Sequence, residues 1–126
     1  MMPKVLSKKK RISDVIKWEV NPIFTRGSMT VTATTADIHL ECGDLYTKAT
    51  ATKSEDGASF DCVCAETTTV YAGETRTVLI LERGPAIVDV DNIGVSEENQ
   101  TTAKTGLLTL GILAQSESPV KVYQET

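Results

Sequence analysis

The chain has 126 residues, 40% of them hydrophobic, which suits one compact domain with its own core and is too apolar for a disordered segment. Its formal net charge of −4 is unevenly spread: Lys4, Lys8, Lys9, Lys10, Arg11 and Lys17 stand against Asp14 in residues 1–17, a net of +5 that leaves −9 for the rest. An acidic body repels nucleic acid, and without an apolar run of about 18 residues no transmembrane helix is expected.

Aromatic residues are only 5% of the chain, so aliphatic and β-branched side chains must fill the core. Threonine recurs in runs such as Thr67-Thr68-Thr69. β-branched side chains fit a pleated, half-buried surface, so composition leans toward β-structure. The three cysteines, Cys42, Cys62 and Cys64, are an odd number, and no apolar signal region follows the basic start. A secreted disulfide framework is therefore not expected, and folding is placed in a reducing cytoplasm.

In chain order, residues 1 to about 11 are polar and basic without a sustained period, as expected of a flexible arm. Ile12, Val15, Ile16 and Trp18 come next, with a spacing that fits a short helix and an extended strand alike. Asn21-Pro22 ends this segment, because the residue before proline is pushed to extended geometry. From 28 to 34, Met29, Val31 and Ala33 alternate with serine and threonine, which predicts a half-buried strand. Further strands are predicted over 45–52, 60–65, 77–81 and 86–90, with turns at Asp56-Gly57, Tyr71-Ala72-Gly73-Glu74 and Arg83-Gly84-Pro85. The dense run 77–81 suits a strand buried on both faces.

One helix is predicted near 97–110. Ser96 is placed as its N-cap, Glu97 and Glu98 lie where the positive helix end favours them, and Ala103, Leu107 and Leu110 share a face. Gly111 reads as its left-handed C-cap. Residues 120–123 read as a last short strand or as part of a loose tail. The whole reads as a small, single, β-rich α+β domain of short strands, as an open barrel or sandwich-like. Residues 1–18 are assigned to a flexible arm and residues 19–126 to the β-rich body.

Side chains that carry chemistry are sparse. His39-Leu40-Glu41 with Cys62-Val63-Cys64 distantly matches the His-x-Glu and Pro-Cys-x-x-Cys motifs of zinc deaminases, but the spacing differs and the proline is missing. Free cysteines more often serve as small core residues. Arg83-Gly84-Pro85 and Arg26-Gly27-Ser28 lack the pattern of a phosphate-binding loop. Asp89 and Asp91 would share one face of a strand, a solvated pair rather than an acid–base pair. Asn99-Gln100-Thr101 matches a glycosylation sequon inside the predicted helix. No catalytic residue, metal ligand or cofactor is assigned.

Two stretches carry a resemblance. The first is Ser13-Asp14-Val15-Ile16-Lys17-Trp18-Glu19 followed by Phe24-Thr25-Arg26-Gly27-Ser28-Met29-Thr30-Val31. The second is Leu81-Glu82-Arg83-Gly84-Pro85-Ala86-Ile87-Val88, followed by the capped helix and Leu110-Gly111-Ile112. In this order the chain, over residues 12–113, resembles the bacteriophage head decoration proteins, the family that includes the decoration protein of lambda-type heads. It departs from many relatives at Ile93-Gly94, where they carry Trp-Pro, and in a longer tail from Ala114.

The resemblance implies a non-enzymatic virion protein without cofactor, made in the host cytoplasm and fixed to the outer capsid surface. It further implies a homotrimer at local three-fold positions whose N-terminal arm contacts the major capsid protein, with no direct nucleic-acid or membrane partner. The capsid-binding arm is assigned as Lys8, Lys9, Lys10, Arg11, Ile12, Val15, Ile16 and Trp18. The apolar four would anchor an extended strand on the shell, and the basic four would meet a protein surface. Another virion component (tail, fibre or baseplate) is the alternative, and a small metal-dependent hydrolase using His39 and the cysteines a more distant one.

Overall fold

A computed structural model of the protein describes residues 11–116. The elements, in order, are α1 (Ile12–Val15), β1 (Ile16–Glu19), α2 (Pro22–Thr25), β2 (Arg26–Thr32), β3 (Ile38–Leu40), β4 (Leu45–Thr47), β5 (Thr52–Lys53) and β6 (Cys62–Cys64). They continue with β7 (Thr68–Val70), β8 (Thr75–Leu81), β9 (Ala86–Asp89), α3 (Gln100–Thr109) and β10 (Ile112–Gln115). Single 3-10 turns cover Val90–Asn92 and Glu97–Asn99. The predicted class holds: this is a small β-rich α+β domain, and among the described residues its sheets are open and form no closed barrel.

Among the described residues the strands form three sheets. An antiparallel five-stranded sheet runs β2-β8-β6-β4-β5, a two-stranded ribbon pairs β3 with β7, and a three-stranded sheet runs β1-β9-β10. In the last, β1 is antiparallel and β10 parallel to β9, so α3 is the crossover of a β-α-β unit. The five-stranded sheet is the middle layer. On one face Met29, Val31, Tyr46, Cys62, Cys64, Val78 and Ile80 pack with Leu40 and Val70 of the ribbon. On the other, Leu45, Val63 and Leu81 pack with Val88, Ala103, Leu107 and Ile112 from the three-stranded sheet and α3.

Strand β6 is therefore buried on both faces, Val63 toward one core and the two cysteines toward the other. In β8 only the second half is buried, because Thr75, Arg76 and Thr77 face water. The predicted strand over 28–34 begins two residues earlier, with Met29, Val31 and Ala33 facing inward. The single strand expected over 45–52 is instead a hairpin: Ala51 adopts φ of 55° and turns β4 into β5. Strands β3, β7 and β10 were not foreseen. The strand suggested over 120–123 lies outside the described residues.

The predicted helix is present, its first turn being the 3-10 turn behind Ser96. Gly111, at φ of 84°, closes it, and its N–H donates to the Leu108 carbonyl at 2.9 Å. The Arg83-Gly84-Pro85 break packs directly on this helix end. The Gly84 N–H donates to the Leu110 carbonyl at 2.9 Å, and a Cβ on Gly84 would lie 1.8 Å from the Gly111 carbonyl oxygen. Backbone cannot swing aside as a side chain can, so Gly84→Ala is expected to cost about 1–3 kcal/mol of stability, the range of overpacked cores. Chemical denaturation would measure it as a lowered midpoint with unchanged slope.

Candidate partner-binding surface

Residues 11–18, the described part of the segment assigned to the arm, fold against the body instead of extending from it. Arg11 N–H donates to the Asp14 carboxylate and Asp14 N–H to the Arg11 carbonyl, both at 2.9 Å, which starts the one-turn helix α1. Val15 is 0% exposed in the core beside Val88 and Val90, with Ile12 and Ile16 packed against the same cluster. The spacing that fitted helix and strand alike encodes both in succession: one helical turn, then β1. The boundary placed at residue 18 thus falls inside a folded unit. Lys8, Lys9 and Lys10 lie outside the described residues.

A bulge separates the roles of Ile16 and Trp18. In a regular strand, residues two apart share a face. Here Ile16 stands opposite Val88 and Trp18 opposite Ile87, so two steps along β1 match one step along β9 and Lys17 is the extra residue of the bulge. Ile16 consequently joins the inner face and Trp18 the outer, where it is 51% exposed. Leu113 of β10 is also opposite Ile87. Trp18, Ile87 and Leu113 therefore form one apolar row across the outer face of the sheet, since directly opposed residues share a face.

Beyond β1 the chain makes a knob. Asn21 caps α2 by accepting the Ile23 N–H at 3.0 Å, and Pro22 occupies the first helical position, where its missing N–H costs nothing. The knob presents Val20, Phe24 and above all Ile23, which is 91% exposed. Scattered exposed leucines are ordinary, but several large apolar side chains on one short stretch, beside an apolar row, mark an interaction surface.

Polar contacts fasten the knob from behind. Val20 N–H donates to the Pro85 carbonyl at 3.0 Å and Glu82 N–H to the Thr25 carbonyl at 2.9 Å. Arg83 reaches over the Phe24 ring, 5.2 Å from its centroid, and donates to the Phe24 carbonyl at 2.6 Å. The Glu19 carboxylate accepts from the Thr25 hydroxyl at 2.6 Å and from Arg26 Nε at 3.1 Å, with a second ion-pair contact to Arg26 Nη2. The Arg26 hydrogen bond holds the Glu19 carboxyl below its usual value, against the opposing effect of burial. The Lys48 hydrogen bond does the same for Glu82.

Both carboxyls have folded values below their ordinary value of 4.5, so their contribution is present above it and is lost as the pH falls through the lowered folded values. The knob is expected to loosen in acid below that point. Glu19→Gln should flatten the acid limb of stability against pH, as followed by thermal melting; an unchanged limb would exclude this pair as its source.

The other sequence candidates are not assembled into a site. His39 lies on the exposed side of the ribbon, with Nδ1 on the Thr69 hydroxyl and Nε2 on Glu41, each at 3.0 Å. Cys42 belongs to one core, and Cys62 and Cys64 to the other. Burial pushes the Cys62 and Cys64 thiols up to about 12, far from the thiolate that binds metal or attacks carbon. Among the described residues no three His, Cys, Asp or Glu side chains are grouped to hold a metal ion. Asp89 and Asp91 do not share a strand face: Asp89 ends β9 and caps the following turn, accepting the Asp91 N–H and Asn92 Nδ2, each at 3.0 Å.

Sequence reasoning found Trp18, the chain's only tryptophan, and missed Val20, Ile23, Phe24, Ile87 and Leu113. The apolar pair Ile23-Phe24 behind a helix-starting proline was the available signal. No helix among the described residues is long and apolar enough to cross a membrane. No family model, curated protein or solved structure matches the chain.

Proposed function

We propose that this protein is a phage head decoration protein, a non-enzymatic clamp that docks as a homotrimer on the outer surface of the expanded capsid. The observation that carries the reading is the exposed apolar group of Trp18, Val20, Ile23 and Phe24 on a braced knob. Trp18 and Phe24 belong to the two parts of the first stretch that carries the family resemblance, and Val20 and Ile23 lie between those parts.

The partner in this reading is the major capsid protein. Each large apolar side chain it covers contributes roughly 1.5–3 kcal/mol before ordering costs. One copy would bind modestly, whereas three copies held together gain from effective concentration. A ligand that binds the expanded shell and not its precursor stabilises the expanded form by linkage, opposing the pressure of packaged DNA. Lys8, Lys9, Lys10 and Arg11 add a salt-sensitive attraction to an acidic patch on the shell.

Co-sedimentation with expanded, undecorated heads of the cognate phage tests the proposal. Saturable binding in multiples of three copies per site, absent from unexpanded heads, is the expected result. Failure to sediment with expanded heads at any salt concentration would overturn it.

A further inference from the structure

The five-stranded sheet begins with a strand paired on one side. Strand β2 pairs with β8 over all seven of its residues and stands first in the order β2-β8-β6-β4-β5, so no described strand pairs with its other edge. The phase of the ladder identifies the groups that line this edge. Ala33 N–H donates to the Glu74 carbonyl and Glu82 N–H to the Thr25 carbonyl, each at 2.9 Å, and both pairs continue the register of β2 with β8. Hydrogen-bonded pairs alternate along an antiparallel ladder, so Gly27, Met29 and Val31 turn their backbone groups toward β8. Ser28, Thr30 and Thr32 turn theirs away from it. The Arg26 N–H is taken by the Pro22 carbonyl. Along β2, a donor and an acceptor therefore both face outward at Ser28, Thr30 and Thr32 only.

Native sheets blunt an open edge with charge, proline or a bulge. Residues 27–32 of β2 have none of these: the run is uncharged, lacks proline and keeps one register with β8 throughout. Ser28, Thr30 and Thr32 are exposed, while Met29 and Val31 are buried against Leu40 and Val70 of the ribbon.

The strand is also its own complement. Turned antiparallel about Thr30, it sets Thr30 of one copy opposite Thr30 of the other, and Ser28 of each opposite Thr32 of the other. Every residue with both groups outward then meets another of the same kind, and each such pair exchanges two backbone bonds. Their side chains meet hydroxyl to hydroxyl, a favourable cross-strand match. On the opposite face Met29 meets Val31. No like charges are opposed over this span, although the bodies that carry it are acidic.

We infer that β2 is the interface of a two-fold dimer, in which the edges of two copies pair antiparallel about Thr30 and join two five-stranded sheets into one. The occupant is a second copy because bonds, side chains and charge all match about a single residue, which is the requirement of an isologous contact and not of a foreign strand. A two-fold contact closes at two copies. It is therefore the state of the free chain, and the three-fold arrangement proposed above belongs to the docked one. The dimer itself covers the edge that the sequence leaves unguarded.

Thr30→Lys and Thr30→Glu, each in the full chain, test this without any capsid. Sedimentation of the native chain over a concentration series is expected to pass from one-copy to two-copy mass. Each variant opposes like charges at the two-fold and is expected to keep one-copy mass over the same series. An equimolar mixture of the two variants opposes unlike charges and is expected to recover two-copy mass. Hydrogen exchange gives a second reading: the amides of Ser28, Thr30 and Thr32 should slow about tenfold as the native chain dimerises. Those of Met29 and Val31, which face β8, should stay protected in both variants as the control for folding. One-copy or three-copy mass for the native chain at every concentration would overturn the inference, as would Thr30→Lys dimerising like the native chain. Failure of the mixture to recover two-copy mass would overturn it too. So would slow exchange at Ser28, Thr30 and Thr32 in the one-copy chain, which would assign the edge to a segment of the same molecule.

Discussion

Replacing Trp18 and Ile23 together by serine is expected to leave the fold intact and to abolish saturable binding to expanded heads at concentrations where the native chain saturates them. Neither side chain holds the body together: Trp18 is half in water on the outer face of β1, and Ile23 is almost fully exposed on the knob. Their removal therefore takes away little folded-state burial. At an interface, each would bury an apolar side chain worth roughly 1.5–3 kcal/mol, so the pair represents some two to four orders of magnitude in the affinity of one copy. Trimeric docking multiplies that loss, because every copy in the trimer lacks the same anchors. The matched control is Tyr71→Ser: it removes an exposed aromatic at the β7–β8 turn, away from the knob, and should bind as the native chain does. If the double variant still saturates heads with native affinity, the apolar knob is not the docking surface, and the acidic remainder of the body becomes the place to search. Neutralising Lys8, Lys9, Lys10 and Arg11 should give a smaller loss that fades at high salt, since exposed charges are screened within about 10 Å at 0.1 M ionic strength.

Local pattern conveyed the parts of this fold whose signals are local. The alternation of Met29, Val31 and Ala33 specifies which face of β2 is buried, because a strand that turned them outward would lose all three at once. Gly111 closes α3 because a left-handed C-cap depends only on neighbouring residues, whereas Ser96 precedes the 3-10 turn before the helix and makes no side-chain capping bond. Cys62 and Cys64, two apart in one strand, share a core as strand alternation requires. What escaped was set by distant partners. Strands β3 and β7 are three residues each, too short for a period to show, and His39 meets Thr69 across a sequence separation of 30. β10 exists because β9 offers it a parallel edge, which no property of Ile112-Leu113-Ala114 announces. The candidate surface divides the same way. A lone Trp near the N-terminus is conspicuous, but a bulge decides that Trp18 faces water while Ile16 faces the core, and the bulge is visible only in the pairing with β9.

Removing residues 1–18 is expected to unfold or severely destabilise the protein, while removing residues 1–10 should leave a folded body. The sequence reading assigns residues 1–18 to a flexible arm, whereas residues 11–18 pack into the folded body. Deletion to residue 18 takes out Val15, fully buried beside Val88 and Val90, and the flanking Ile12 and Ile16. It also strips β9 of its antiparallel partner, leaving buried Ala86 and Val88 beside an open edge, and it removes the Asp14 carbonyl that accepts from Asn92 Nδ2 at 3.1 Å. Val15 alone, truncated to alanine, should cost on the order of 2–3 kcal/mol, a transfer loss plus a cavity. The three apolar side chains and a strand edge together exceed what a typical small domain has in reserve, about 5–15 kcal/mol, once added to the exposed surface left on the remaining core. Circular dichroism with thermal melting would read the difference directly: a cooperative transition near the native midpoint for the chain lacking residues 1–10, and a lost or strongly lowered one for the chain lacking 1–18. If the shorter chain melts like the native protein, α1 and β1 rest on the body without supporting it, and the segment returns to the role of a detachable arm that can leave its seat to meet the capsid.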